Sequence, residues 1–249
     1  MSVERLTELV AELQPCVALT GAGISTESGI PDYRSLEGIW AQYDPLEYAH
    51  IDAFRADPVK VWGFYGKRVD VVGAAEPNDG HRALADLEQR GWIRAVITQN
   101  VDGLHARAGT SELVEVHGSL RTASCLRCGT QLAMEDVVAL LPAPACPRCG
   151  EIVKPDVVMF GEYLPEAAVE RARQLAAEAR LLLVVGSSLE VYPVAALPEE
   201  TLAAGGALAI VNRGGTSWDE RAAVVVDAGA GETLRALAER LPAGWTSRE

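Results

Sequence analysis

The sequence has no apolar run approaching the ~18 residues that a membrane-crossing helix needs, so no membrane partner is expected. It is also short of basic charge, with 22 lysines and arginines against 35 aspartates and glutamates and a net charge of −13. Proteins that neutralise phosphates need a basic face, so nucleic acid is not an expected partner. Solubility accounts for the excess acid, and attraction of basic peptides is its one functional reading. No cleavable leader is legible at the start. Val3, Leu6, Leu9, Val10 and Leu13 recur at helical spacing, with Glu4, Glu8 and Glu12 between them, which reads as an amphipathic helix. The expected location is therefore cytoplasmic. Cysteines number only five, an odd count, and in a reducing compartment they serve as metal ligands or free thiols rather than disulfides.

At 249 residues, 49% apolar and 23% charged, the chain can bury one large domain or one domain plus a small module. The apolar run at Cys16-Val17-Ala18-Leu19 reads as a buried parallel strand. It runs into Gly21-Ala22-Gly23-Ile24-Ser25, where backbone N–H groups could cradle a pyrophosphate. A Gly-x-Gly turn serves equally well to join a strand to a helix. The third glycine of the dinucleotide fingerprint is missing, with Thr26 in its place, and no acid ends a second strand about 20 residues on. Further strands are expected at Ile93–Thr98, Leu113–Val116, Lys154–Glu162, Leu181–Val185, Ala207–Val211 and Ala223–Val226. Helices are expected at His81–Gln89, Pro165–Arg180 and Gly231–Leu241. Residues 35–75 hold most of the aromatics and no long apolar strand, which suggests a helical insertion. Strands alternating with helices give an α/β fold with a doubly wound parallel sheet. Gly21, Gln99, Gly186 and Asn212 all follow strands, where open α/β sheets bind ligands.

Cys125-x-x-Cys128 and Cys146-x-x-Cys149 are separated by a spacer suited to a four-cysteine zinc site. Two knuckles with two thiolates each fill a tetrahedron and leave no open position, so such a zinc is structural. Two separate redox pairs are the alternative. Cys16 reads as a small buried hydrophobe.

Taken in order, Gly-Ala-Gly-Ile-Ser, Gly-Ile-Pro-Asp-Tyr-Arg, Thr-Gln-Asn-Val-Asp-Gly-Leu-His, His-Gly before two Cys-x-x-Cys pairs, Gly-Ser-Ser and Val-Asn resemble the sirtuins, the NAD-dependent protein lysine deacylases. The resemblance implies a Rossmann-like sheet domain over residues 1–34, 76–120 and 152–249. It also implies a helical insertion at 35–75 and a zinc module at 121–151, together one catalytic domain. It implies NAD as co-substrate, one zinc held by Cys125, Cys128, Cys146 and Cys149, and acyl-lysine proteins or peptides as partners. Sirtuins cleave the nicotinamide–ribose bond and pass ADP-ribose to the acyl oxygen. Gly21, Ala22, Gly23, Ile24, Asp32, Tyr33, Arg34, Trp40, Gln99, Asn100, Val101 and Asp102 are thereby expected around nicotinamide, ribose and phosphates. Gly186, Ser187, Ser188, Asn212, Arg213, Gly214 and Ala230 are expected on the adenosine side. His117 corresponds to the general base, with Asn100 and Asp102 beside it, and an imidazole suits that task near neutrality. Val157, Phe160, Gly161 and Glu162 belong to the edge against which the acyl-lysine peptide pairs. His81 and His105 have no chemical role legible in the sequence, and His50 reads as a surface residue. The sequence sets no oligomeric state; a monomer is the expectation.

One subgroup of sirtuins is resembled more closely. Tyr65-x-x-Arg68 places a phenol and a guanidinium on one helical face, and Ala49 stands where many deacetylases keep a bulkier side chain. Such a pair can grip a carboxylate, which points to succinyl- or malonyl-lysine besides acetyl-lysine. An exposed Arg and a core Tyr at this spacing are the plain alternative. Mono-ADP-ribosyl transfer would use the same NAD site. A silent NAD or ADP-ribose sensor would be free to lose His117, Asn100 and Asp102, and a zinc-ribbon module would explain only the cysteines.

Overall fold

The computed structural model describes residues 3–245; the outermost residues of the expected domain, 1–2 and 246–249, lie outside the described residues. In chain order the elements are α1 (Val3–Glu12), β1 (Cys16–Thr20), α2 (Pro45–Tyr48), α3 (Ile51–Ala56), α4 (Pro58–Ala74), α5 (Asp79–Gln89) and β2 (Ala95–Thr98). They continue with α6 (Leu104–Ala108), β3 (Leu113–Glu115), β4 (Gly118–Cys125), β5 (Gln131–Ala133), α7 (Met134–Val138) and β6 (Val153–Val157). The chain closes with α8 (Glu166–Glu178), β7 (Leu181–Val185), α9 (Leu197–Ala203), β8 (Ala207–Val211), β9 (Val224–Val226) and α10 (Ala230–Arg240). No helix among the described residues is long and apolar enough to cross a membrane.

The large sheet has the order β3-β2-β1-β7-β8-β9, and every pairing is parallel. Its four inner strands, β2, β1, β7 and β8, are apolar but for Thr20 and Thr98 at their ends, because both faces are covered, while the edge strand β3 is only half-buried. Cys16, Ala18, Leu181 and Leu183 pack under α1, α5 and α10, while Val17, Leu19, Leu182 and Val184 pack under α8 and α9. This is the expected doubly wound sheet, with Cys16 fully buried inside it.

Strand order reverses between β1 and β7, so the loops leaving these two strands part company and open a crevice. They also cross closely. Gly23 N–H donates to Gly186 O at 2.8 Å, and a Cβ on Gly23 would lie 2.8 Å from that oxygen. Gly186 has a φ of +60°, and a Cβ there would meet Ile24 N at 2.3 Å. Only glycine fits either position.

The smaller sheet has the order β5-β4-β6 and is antiparallel. Here the structure departs from the sequence expectation. The strand expected over Lys154–Glu162 ends at Val157, and it joins this small sheet although it lies past residue 151. Its backbone register with β4 sets that membership, which hydrophobic periodicity cannot show. The helical insertion packs on the same sheet. Phe54, Trp62, Phe64 and Tyr65 share a core with Leu120, Val153 and Cys146, and Trp62 Nε1–H donates to Val153 O at 2.8 Å.

Candidate active site

The crevice at the switch point opens into a cleft of ≈ 1300 Å³ between the large sheet and the small lobe. Its floor is built by strand ends. Gly21, Ala22 and Gly23 follow β1; Gln99, Asn100 and Val101 follow β2; Gly186, Ser187 and Ser188 follow β7; Asn212 and Arg213 follow β8. Ala230 completes this side from the start of α10. Gln99 Nε2 donates to Ser187 Oγ at 2.8 Å, tying the β2 and β7 ends together. Asp32, Tyr33, Arg34 and Trp40 form one wall. Asp32 Oδ1 accepts the N–H groups of Arg34 and Ser35 at 2.9 and 2.8 Å, which shapes the loop. Arg34 Nε reaches Glu190 Oε2 at 3.1 Å across the cleft. Ala49, Tyr65, Arg68, Val157, Phe160, Gly161 and Glu162 also line the cleft, where Arg68 lies over the Tyr33 ring and Phe160 against Trp40.

His117 sits between β3 and β4 and also lines the cleft. Its Nδ1 is 3.0 Å from Gln99 O. A carbonyl only accepts, so Nδ1 carries the proton and Nε2 holds the lone pair. Burial lowers the imidazole's pKa, the Gln99 carbonyl opposes this, and Arg34 adds to the lowering. The ring is thus a neutral base at neutral pH.

Three expected cofactor residues are placed differently. Ile24 is fully buried in the core against Leu84 and Leu87, because the turn after β1 rolls its side chain inward. Gly214 does not line the cleft; its N–H is held by Asp227 at 3.1 Å. Asp102 lies beneath the floor at 8% exposure. Its Oδ2 accepts the Ser25 hydroxyl at 2.7 Å and its Oδ1 accepts Leu104 N–H at 2.9 Å.

Asp102 anchors a buried polar network that the sequence reading missed. Ser25 Oγ accepts from Asn100 Nδ2 at 3.1 Å, and that amide also donates to Gly21 O at 3.1 Å. His81 Nδ1 accepts Asn78 N–H, closing a capping box at the start of α5, so its Nε2–H faces Ser25 Oγ at 3.4 Å. His105 Nε2 meets Thr20 Oγ1 at 2.9 Å, and Thr20 bonds to Thr98. Both histidines are buried, with rings 4.8 Å apart. His50, expected at the surface, is half-buried, and its Nδ1 caps α3 by accepting Asp52 N–H at 3.1 Å. The missed signal for Ser25 was its place in the Gly-Ala-Gly-Ile-Ser motif. Glu190 and Tyr192, also on the cleft, lie two and four residues past Gly-Ser-Ser.

The four sulfur atoms of Cys125, Cys128, Cys146 and Cys149 lie within 4.8 Å of one another. Neighbouring sulfurs approach to 3.5 and 3.6 Å. Four sulfurs about 2.3 Å from a zinc would sit about 3.8 Å apart, so the set closes readily into a tetrahedron. Gly129 and Gly150, each following a Cys-x-x-Cys, take φ values of +70° and +73° and turn both knuckles alike.

Residues 21–193 match the model of the Sir2 family. The chain belongs to the Sir2 family. It is 43% identical over 244 residues to "NAD-dependent protein deacylase 2" of Pyrobaculum aerophilum, covering 98% of each chain. It is 48% identical over 217 residues to "NAD-dependent protein deacylase" of Thermus thermophilus, covering 84% of this chain and 85% of that one. A Sir2 structure with a p53 peptide and NAD+ superposes with a TM-score of 0.89 at 40% identity, covering 96% of this chain and 98% of that one. In this Sir2 chain the four-thiolate set fits a structural zinc. The glycine-lined crevice at the strand ends, with the start of α10 on its floor, fits NAD.

Proposed function

We propose that this chain is an NAD-dependent protein lysine deacylase, converting acyl-lysine, NAD and one water into nicotinamide, the free lysine and O-acyl-ADP-ribose. NAD supplies the electrophile, since loss of nicotinamide opens its ribose carbon to the acyl oxygen. The observation that carries the reading is the state of His117: neutral, turned by Gln99 O, and free at Nε2 beside the cleft. There it takes a proton from a ribose hydroxyl so that the sugar oxygen attacks the acyl carbon. Asn100 is held by Gly21 and Ser25, which presets its amide for the ribose side. Asp102 acts from beneath by fixing Ser25 and adding negative charge where positive charge develops on the ribose. Thiolate ligands require reduced cysteines, which supports the cytoplasm as the place of action.

The acyl groups extend to succinyl and malonyl. Ala49, Tyr65 and Arg68 all line the cleft, and Arg68, whose hydrogen bond goes to the Tyr33 hydroxyl at 3.4 Å, has no carboxylate partner among the described residues. Its guanidinium lies over the Tyr33 and Phe64 rings, 5.1 and 5.9 Å from their centroids. The Tyr65 phenol is buried, which raises its pKa and keeps it a neutral donor. A cation stacked on aromatics, its fork not yet paired with an acid, suits an incoming carboxylate. The test is mass spectrometry of acetyl-, succinyl- and malonyl-lysine peptides incubated with NAD and the protein. NAD-dependent loss of the acyl mass is expected on all three. Loss on acetyl alone removes the carboxylate reading, and transfer of ADP-ribose to the peptide without deacylation removes the deacylase.

A further inference from the structure

Lys154 has a side chain only 8% exposed, and the proposed chemistry leaves it without a task. Its ammonium meets three acceptors: Pro155 O at 3.0 Å, Val157 O at 2.7 Å and Glu162 Oε2 at 3.1 Å. An ammonium has three N–H donors, so this buried cation is fully satisfied. Glu162 in turn accepts Met159 N–H at 2.8 Å, and its own N–H donates to Met159 O at 3.0 Å. One ion pair thus ties the start of β6 to the far end of the segment 157–162.

That segment is where three parts of the molecule meet. Val158 N–H donates to His117 O at 2.9 Å. Phe160 donates to Ala49 O at 2.8 Å and accepts Ile51 N–H at 3.0 Å, so its backbone is already paired with the helical insertion. Gly161 has a φ of +83°, and a Cβ there would meet the His50 ring at 2.9 Å. Lys154 itself stands on β6 next to Val153, which pairs with Cys125 of the zinc set. The clamp therefore starts from a strand anchored beside the metal site and ends at the cleft.

We infer that Lys154 is a positioning residue for substrate: with Glu162 it holds the 157–162 segment in the one shape that receives the acyl-lysine peptide. It acts on the peptide side of the cleft and leaves the cofactor side untouched. The inference rests on the deacylase reading. Removing either partner strands the other charge, and since no other ion pair among the described residues spans the segment, its shape then rests on the backbone bonds to His117, Ala49 and Ile51 alone.

The experiment measures the affinity for an acetyl-lysine peptide by fluorescence anisotropy, for ADP-ribose by calorimetry, and zinc content by elemental analysis. Lys154→Met and Glu162→Gln should each weaken peptide binding about 10- to 100-fold, the scale of a misplacement near 1 Å. ADP-ribose affinity and zinc content should stay at their wild-type values. Lys154→Arg keeps the charge and should return most of the peptide affinity. The double variant should be no weaker than the worse single one, as for two halves of one device. Wild-type peptide affinity in Glu162→Gln, which keeps the side chain's shape and folds even if Lys154→Met does not, overturns the inference. So do equal losses of peptide and ADP-ribose binding, or additive losses in the double variant. Wild-type protein that binds ADP-ribose but no acyl-lysine peptide overturns the deacylase reading as well, and is recognised without any variant.

Discussion

His117 gives one ring nitrogen to Gln99 and keeps the other for the cleft, so its deletion should remove chemistry rather than binding. His117→Ala should lower turnover by roughly 10²–10⁴-fold, with ADP-ribose affinity retained in calorimetry. Near-wild-type turnover would take the imidazole out of the mechanism. The base works unprotonated, and burial holds its pKa below the ordinary 6.5. The acid limb of kcat/KM against pH should therefore lie below that value, with activity complete above it; a limb above it contradicts the neutral-ring assignment. Arg68 tests selectivity. Arg68→Met keeps much of the stem and removes the fork, a loss of about 1.5–3 kcal/mol for a charge-assisted pair, or roughly 10- to 150-fold. Succinyl peptides should lose that much in kcat/KM while acetyl peptides change little; equal losses on both would assign Arg68 to the fold. These residues were legible because they sit at strand ends or at a fixed helical offset. Ser25 and His81 were not, since a hydroxyl and an imidazole mean nothing until the fold brings Asp102 beneath them.

Among the elements, the inner strands of the large sheet are readable because a strand buried on both faces must be almost wholly apolar. β6 is a different case: its residues suit a strand, but only the register with β4 assigns it to the small sheet. The helical insertion likewise finds its partner only in three dimensions, where Trp62 and Phe54 complete the core over Val153 and Cys146. Cys146→Ser should release the zinc and destabilise this lobe, since metal binding there is folding energy. Hydrogen exchange should show β4, β6 and α4 losing protection while β1 and β7 keep theirs. Uniform loss across both sheets, or zinc retained by elemental analysis, would contradict this coupling.

For the molecule as a whole, acid is the stress to expect. His81 and His105 are buried as neutral rings, and burial lowers their pKa values from 6.5 to about 4 and about 3, with Asp102 opposing the shift at His81. The unfolded chain protonates both near pH 6.5, so from there down to about 3 it binds more protons than the folded one. Stability should be complete above that window and fall as pH drops through it. Urea midpoints taken across the window should show this slope, and His105→Gln should flatten it; an unchanged slope would move the cause elsewhere. The sequence by itself determined the α/β class, the strand ends that carry polar residues, the four-cysteine set and the family motifs, because periodicity, spacing and motif order are properties of the chain alone. The tertiary structure decided which side chains face the cleft. Ile24 turned inward, Asp102 sank beneath the floor, and Lys154 reached Glu162, because each of those outcomes depends on which distant backbone lies within a few ångströms.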